Sequence, residues 1–175
     1  MLKLLLLRHA KSSWDDLDHS DHQRPLNKRG MKAAPEMGRY IVKQGLTPKL
    51  VLSSTATRAR QTTQLVTKQF SATTQDQTQI RFIDELYNFS GFHTPLNIIR
   101  DNGDHQSPLL LVGHNPTMEE LAGELTGTGN SAARALMHEK YPTAALAVID
   151  FDIPQWADLQ TGIGTLVQFT RPRDL

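Results

Sequence analysis

Three short stretches hold the side chains able to do chemistry. Arg8 and His9 close the apolar run Leu4 to Leu7, Arg58 and Arg60 follow Leu50 to Leu52 and the Ser53-Ser54 pair, and His114 lies in Gly113-His114-Asn115-Pro116, after Leu109 to Val112. Guanidinium forks match the oxygens of a phosphoryl group, and a neutral imidazole nitrogen can attack phosphorus. The chain has no cysteine and no Gly-x-Ser-x-Gly elbow, which leaves His9 as the nucleophile suited to such a pocket. Attack by His9 would form a phosphohistidine, with Arg8, Arg58 and His114 neutralising the equatorial oxygens as charge builds. A helix starting near Thr57 would add free backbone donors. This chemistry requires neither a metal nor an organic cofactor.

Each stretch also has a plainer reading. Basic residues often end a hydrophobic strand, His114 could cap a turn, and Arg58 could be one exposed position at a helix start. The chemical reading depends on all three converging. Arg60 lies two positions beyond Arg58, about 200° round a helix, and is expected to point away. A histidine metal site is the main rival, but His19 and His22 lie in a polar loop, His93 and His105 flank an expected helix, no His-Glu-x-x-His spacing occurs, and the arginines would repel a cation. No glycine-rich nucleotide loop is present. Gly127 and Gly129 read as a turn ending a helix.

The elements needed to position these residues follow from apolar patterning. Leu2 to Leu7 is a short, nearly all-apolar run, suited to a strand buried on both faces. Lys11 to Lys28 lacks periodicity and reads as a long loop with at most one helical turn; such loops tend to carry function. Asn27 is positioned to cap a helix running to about Gln44, with a stripe of Met31, Ala34, Met37, Ile41 and Val42, Gly45 as terminator and Pro35 as a possible kink. Strands are expected at 50–52, 80–83, 108–112, 144–151 and 166–169, the last two as neighbours, with helices at about 57–70 and 117–125. Residues 71–79 are polar and expected to be exposed. Alternating strands and helices imply an α/β fold with a mostly parallel sheet, whose right-handed crossovers gather the strand exits at one edge.

Composition sets the outer limits. At 175 residues the chain has the length of one domain, spanning 1–175. A net charge of +1 offers no global field for nucleic acid or an anionic membrane, so anion binding must be local. The absence of cysteine removes disulfide scaffolds and zinc ribbons. The first apolar run is too short for a signal peptide or membrane span, and a cytoplasmic protein is expected.

The motifs together resemble the histidine phosphatase superfamily, and within it the SixA-type phosphohistidine phosphatases. The likeness rests on Leu7-Arg8-His9-Ala10-Lys11-Ser12-Ser13-Trp14, Arg24-Pro25-Leu26-Asn27-Lys28-Arg29-Gly30, Ser53 to Thr62, Val112 to Pro116 and Pro142 to Ala147. It implies a three-layer α/β/α sandwich of the phosphoglycerate mutase-like type, with His9 as phosphoryl acceptor and Arg8, Arg58 and His114 as the phosphate shell. The implied partner is a protein carrying phosphohistidine, in signal transduction, with inorganic phosphate as product. Ala10 replaces the family's usual glycine, at little expected cost. Many members place an acid after the second arginine helix to protonate an alcohol leaving group, and Glu85 in Asp84-Glu85-Leu86-Tyr87 is the candidate; SixA-type proteins generally lack one. Lys11 could meet an anionic substrate, and Trp14 is expected to anchor its loop on the core. Two alternatives stand beside phosphohistidine hydrolysis: a phosphomonoesterase using Glu85, and a phosphohistidine-binding module without turnover.

Overall fold

The structure is a computed structural model and describes residues 1–14, 20–87 and 94–175. Seven strands form one sheet: β1 (Leu2–Arg8), β2 (Leu50–Ser54), β3 (Gln79–Ile83), β4 (Leu109–Gly113), β5 (Thr126–Gly129), β6 (Leu146–Phe151) and β7 (Gly164–Thr170). Their order is β3-β2-β4-β1-β6-β7-β5. The first four run parallel, whereas β6 is antiparallel to both β1 and β7. The C-terminal ends of β2, β4 and β1 therefore lie side by side, and the start of β6 shares their edge.

The all-apolar run in β1 is explained by burial on both sides. Leu4 and Leu6 face one core with Leu52, Leu111 and Ile149, while Leu5 and Leu7 face a second with Val51, Leu110 and Val112. Helices α4 (Pro95–Gly103), α5 (Thr117–Leu125) and α6 (Ser131–Glu139) cover the first side through Ile99, Leu121 and Met137. Helices α1 (Lys28–Lys43) and α2 (Thr57–Thr67) cover the second through Met37, Ile41, Ala59 and Val66. The result is the three-layer sandwich expected.

Helix α1 begins where its sequence indicates: Asn27 Oδ1 accepts from the Gly30 N–H at 3.0 Å. It continues through Pro35 to Lys43. Gly30 is required there, because a Cβ would stand 2.2 Å from the Lys11 carbonyl oxygen. That close approach pins the start of α1 to the chain just after β1.

Three local expectations are revised. Thr126–Gly129 is strand β5 and not a turn; having no apolar side chain, it shows no strand pattern, and it pairs with β7 through its backbone. A Cβ at Gly127 would come within 1.9 Å of the Gly162 carbonyl oxygen, so only glycine permits the approach. Helix α6 has no counterpart among the expected elements, although Asn130 Oδ1 caps it by accepting from the Ala133 N–H at 3.0 Å. The polar stretch after α2 holds helix α3 (Ala72–Gln77), capped by Ser71.

Candidate active site

Strand register brings the two histidines together. Arg8 pairs with Gly113 across β1 and β4, and the His9 N–H donates to the Gly113 carbonyl at 2.9 Å. His9 and His114 are thus the first residues past two adjacent parallel strands, and their ring centroids lie 5.0 Å apart. The Ala10 N–H donates to Thr62 Oγ1 at 3.0 Å, and that hydroxyl donates to the Arg58 carbonyl at 2.6 Å, which fastens the first turns of α2 to the His9 segment. Ala10 is fully buried.

The arginines arrive from separate elements. Arg8 Nη1 donates to the Tyr141 carbonyl at 2.8 Å, just ahead of β6. Arg58 is buried and donates from Nη2 to Asp21 Oδ2 at 2.9 Å and from Nη1 to the Asp21 carbonyl. Asp21 opens a single 3-10 turn, Asp21–Gln23, inside the long loop. Its other oxygen accepts from Arg24 Nη1 at 3.0 Å, and Tyr87 donates its hydroxyl to Oδ2 at 2.9 Å. Tyr87 also meets the His114 ring edge-on at 5.6 Å between centroids and that of His22 at 4.7 Å. Arg24, also buried, donates to Ser12 Oγ and lies 3.3 Å above the Trp14 ring.

Arg8, His9, Arg58 and His114 therefore converge as expected, and three further residues join them. Arg24, Asp21 and Tyr87 had no periodicity or strand exit to mark them. Arg24 stood in a stretch quoted for the family resemblance without being given a role, Asp21 was marked only by its loop, and Tyr87 stands two residues from Glu85, the acid candidate.

Several buried donors in this cluster lack a protein acceptor, Nε of Arg8, Arg24 and Arg58, and Nδ1 of His114 beside them has no hydrogen-bond partner either. Uncompensated buried donors are costly, and an anion with several oxygens would satisfy them. The histidines have the opposite bias. Burial foremost, then the charges of His114, Arg58 and Arg8, push His9 down to about 3 against the opposing hydrogen bond of the Ala10 carbonyl. Burial and Arg58 likewise push His114 down to about 4. Both rings are neutral at physiological pH. The Ala10 carbonyl can only accept, so His9 Nδ1, 2.7 Å away, carries the ring proton and Nε2 keeps its lone pair. His114 Nε2 is 2.8 Å from Ser54 Oγ. Partial burial raises Asp21, but the Tyr87 hydroxyl, Arg58 and Arg24 outweigh it and hold the carboxyl below its ordinary value.

Other candidates lie elsewhere. Glu85 lines a separate cleft with Phe82, Ile98, Asp101 and Asn102, and among the described residues the structure does not bring it to the four. Arg60 points away as expected, its guanidinium 4.2 Å over the Phe82 ring. Trp14 is 68% exposed and holds Arg24 instead of anchoring on the core. Lys11 is exposed. His105 is near Asp104, far along the chain at the opposite end of α4. His22 contacts Thr55 and Tyr87. His19 and His93 lie outside the described residues. Among the described residues no group of three or more His, Asp and Glu side chains is disposed to hold a metal ion, and no helix is long and apolar enough to cross a membrane.

A fold of parallel exits around paired histidines and arginines defines a class. The chain belongs to the histidine phosphatase superfamily, branch 1, whose family model matches residues 4–86. It is 36% identical over 170 residues to an uncharacterised protein of Mycobacterium tuberculosis, covering 95% of this chain and all of that one. A solved structure from Agrobacterium tumefaciens, provisionally assigned as the phosphohistidine phosphatase SixA, is 34% identical with a TM-score of 0.78 and covers 97% of this chain and 98% of its own. A second protein with the same provisional assignment, from Nakamurella multipartitia, is 28% identical with a TM-score of 0.80, covering 98% and 96%. Family and fold together make this chain a phosphatase of the SixA type.

Proposed function

We propose that the whole chain acts as one catalytic domain, a metal-independent phosphatase that removes the phosphoryl group from phosphohistidine in a partner protein through a covalent intermediate on His9. The observation that carries this reading is a neutral His9, its proton fixed on Nδ1 by the Ala10 carbonyl, in the midst of buried arginine donors without acceptors. His9 Nε2 attacks phosphorus with its lone pair. The P–N bond of the substrate breaks as the other nitrogen of its imidazole takes a proton from water, so that a neutral imidazole leaves. Water then attacks phospho-His9 and gives up a proton to the hydroxide left by the first step, the new P–N bond breaks, and inorganic phosphate departs while His9 recovers its neutral state. Arg8, Arg58 and the His114 Nδ1 side neutralise the phosphoryl oxygens throughout. Arg24, tied to Arg58 through Asp21, extends that shell.

An imidazole leaves phosphorus more readily than an unprotonated alcohol, so this reaction needs no dedicated acid. That fits the site, where the carboxylate beside Arg58 is Asp21, held ionised, and where Glu85 lies in another cleft. A phosphomonoesterase would require a proton donor at that position. A binding module without turnover would leave the tautomer control of His9 without purpose. Cytoplasmic signalling is the setting consistent with such a substrate.

Incubation with labelled phosphoramidate, an alkaline quench and mapping of the label tests the mechanism. Label is expected on His9 and absent from His9→Ala, with turnover down by about four orders of magnitude. Phosphate binding with no label and no turnover would overturn it.

A further inference from the structure

A second cationic feature lies next to the site and takes no part in the chemistry described above. A cleft of about 410 Å³ is lined by Lys11, Arg29, Lys32, Lys140, Arg171 and Arg173, with Glu36 as its lining carboxylate. Six cations share one cleft in a chain whose net charge is only +1. Arg29, Lys32 and Lys140 are exposed and form no ion pair with another described residue. Arg171 is buried and held by Asp174, with Glu139 at 3.5 Å, yet its Nη1 has no hydrogen-bond partner.

Folding does not explain this arrangement. Lys28, Arg29 and Lys32 stand at the start of α1, whose first turn has no acidic residue. The helix dipole disfavours cations in the first turn, so Lys28 and Arg29 do not stabilise the start of α1.

The cleft borders segments that lead directly to the phosphoryl site. Lys11 is two residues past His9, and its carbonyl receives the Asn27 N–H at 3.0 Å. Thr143 precedes Ala144, whose N–H lies 3.0 Å from the Arg8 carbonyl and 3.2 Å from that of His9. A chain presenting one side chain to His9 would run its flanking residues over this surface. Ala33, Pro142 and Pro172 add apolar floor between the charges, which suits a polypeptide better than a bare polyphosphate.

We propose that this cleft binds an acidic segment flanking the phosphorylated residue of the substrate protein, and so selects the substrate. The proposal rests on the phosphohistidine reading above. Its test uses two synthetic peptides, each with one phosphohistidine, one flanked by glutamates on both sides and the other by serines. The wild type is expected to turn over the glutamate peptide with a kcat/KM about tenfold higher, through KM, and to lose the advantage as salt rises. K32E/R173E should abolish the preference, K32Q/R173Q should reduce it, and phosphoramidate turnover should stay unchanged in both. Equal kcat/KM for the two peptides, or a preference that persists in K32E/R173E, would overturn it. Should neither peptide be hydrolysed, the catalytic reading fails separately, and fluorescence anisotropy of the unphosphorylated glutamate peptide decides the cleft. Binding by the wild type that K32E/R173E loses supports it; absence of binding, or binding of inorganic polyphosphate alone, refutes it.

Discussion

The two halves of the sheet do different work. In the parallel half, β3-β2-β4-β1, every chain direction agrees, and the strand exits deliver Arg8, His9, Ser54 and His114 to one edge. In the other half, β6-β7-β5, β6 runs against β7 while β5 runs parallel to β7, so β6 leaves the sheet at the edge opposite to the exits of its two neighbours. That half contributes packing: Phe151, Trp156, Leu166 and Phe169 belong to the core. It approaches the chemistry through the segment before β6, where the Tyr141 carbonyl accepts from Arg8. The contrast shows how a phosphoryl site can be built chiefly by main-chain direction: both halves supply core, through Leu4, Leu52 and Leu111 on one side of the division and Phe151 and Leu166 on the other, but the parallel one gathers the site.

Substitutions should separate these roles. Arg58→Ala removes a buried cation of the site and should lower kcat/KM by about 10³-fold while leaving thermal stability nearly intact; Arg58→Lys should recover little, since an ammonium lacks the planar fork. Steady-state kinetics beside a melting curve checks both. Trp156→Ala, in the other half, empties a fully buried site against Phe151 and Gly103 and should cost about 4 kcal/mol of stability in denaturant titration, with activity per folded molecule preserved. A variant that stayed stable but lost turnover would break the division.

Acid should strike stability before nucleophilicity. His9 titrates near 6.5 when unfolded and at about 3 when folded, so the unfolded chain binds the proton first. The neutral-His9 contribution is fully present above pH 6.5 and is lost as pH falls toward 3. At pH 5 this loss amounts to about 2 kcal/mol for His9, visible as a lower urea midpoint that His9→Gln should flatten. Meanwhile kcat/KM should show no acid limb near 6.5, its fall awaiting the region of about 4 set by His114. An inflection near 6.5 would show that an ordinary, solvated histidine does the work. The smallest effect is expected from Glu85→Gln, under about twofold on phosphohistidine, because Glu85 lines another cleft.

Much of the parallel half was legible because β1, β2 and β4 carry apolar runs buried on both faces and stop abruptly at polar residues or glycine. A pattern of Leu-Leu-Leu-Leu followed by Arg8-His9 has few other physical meanings. The loop residues were not legible: Arg24 and Asp21 act through a turn with no repeat, and their partners Arg58 and Tyr87 are 34 or more positions away along the chain from the nearer of them. Tyr87 over Glu85 was a matter of which residue the 3-10 turn Asp84–Leu86 presents, and residue type alone favoured the carboxylate. Strand β5 was invisible for a different reason, since Gly127 and Gly129 pair by backbone and leave no side-chain signature.

The pairing of Arg8 with Gly113 has one more consequence. Because His9 hangs from the Gly113 carbonyl and His114 follows that same glycine, the separation of the two imidazoles is set by the ladder of peptide groups. The surrounding side chains can diverge widely without moving it. A lineage could therefore exchange its substrates, loops and surface charges while inheriting the reactive centre unchanged, as a heritable distance written in the main chain.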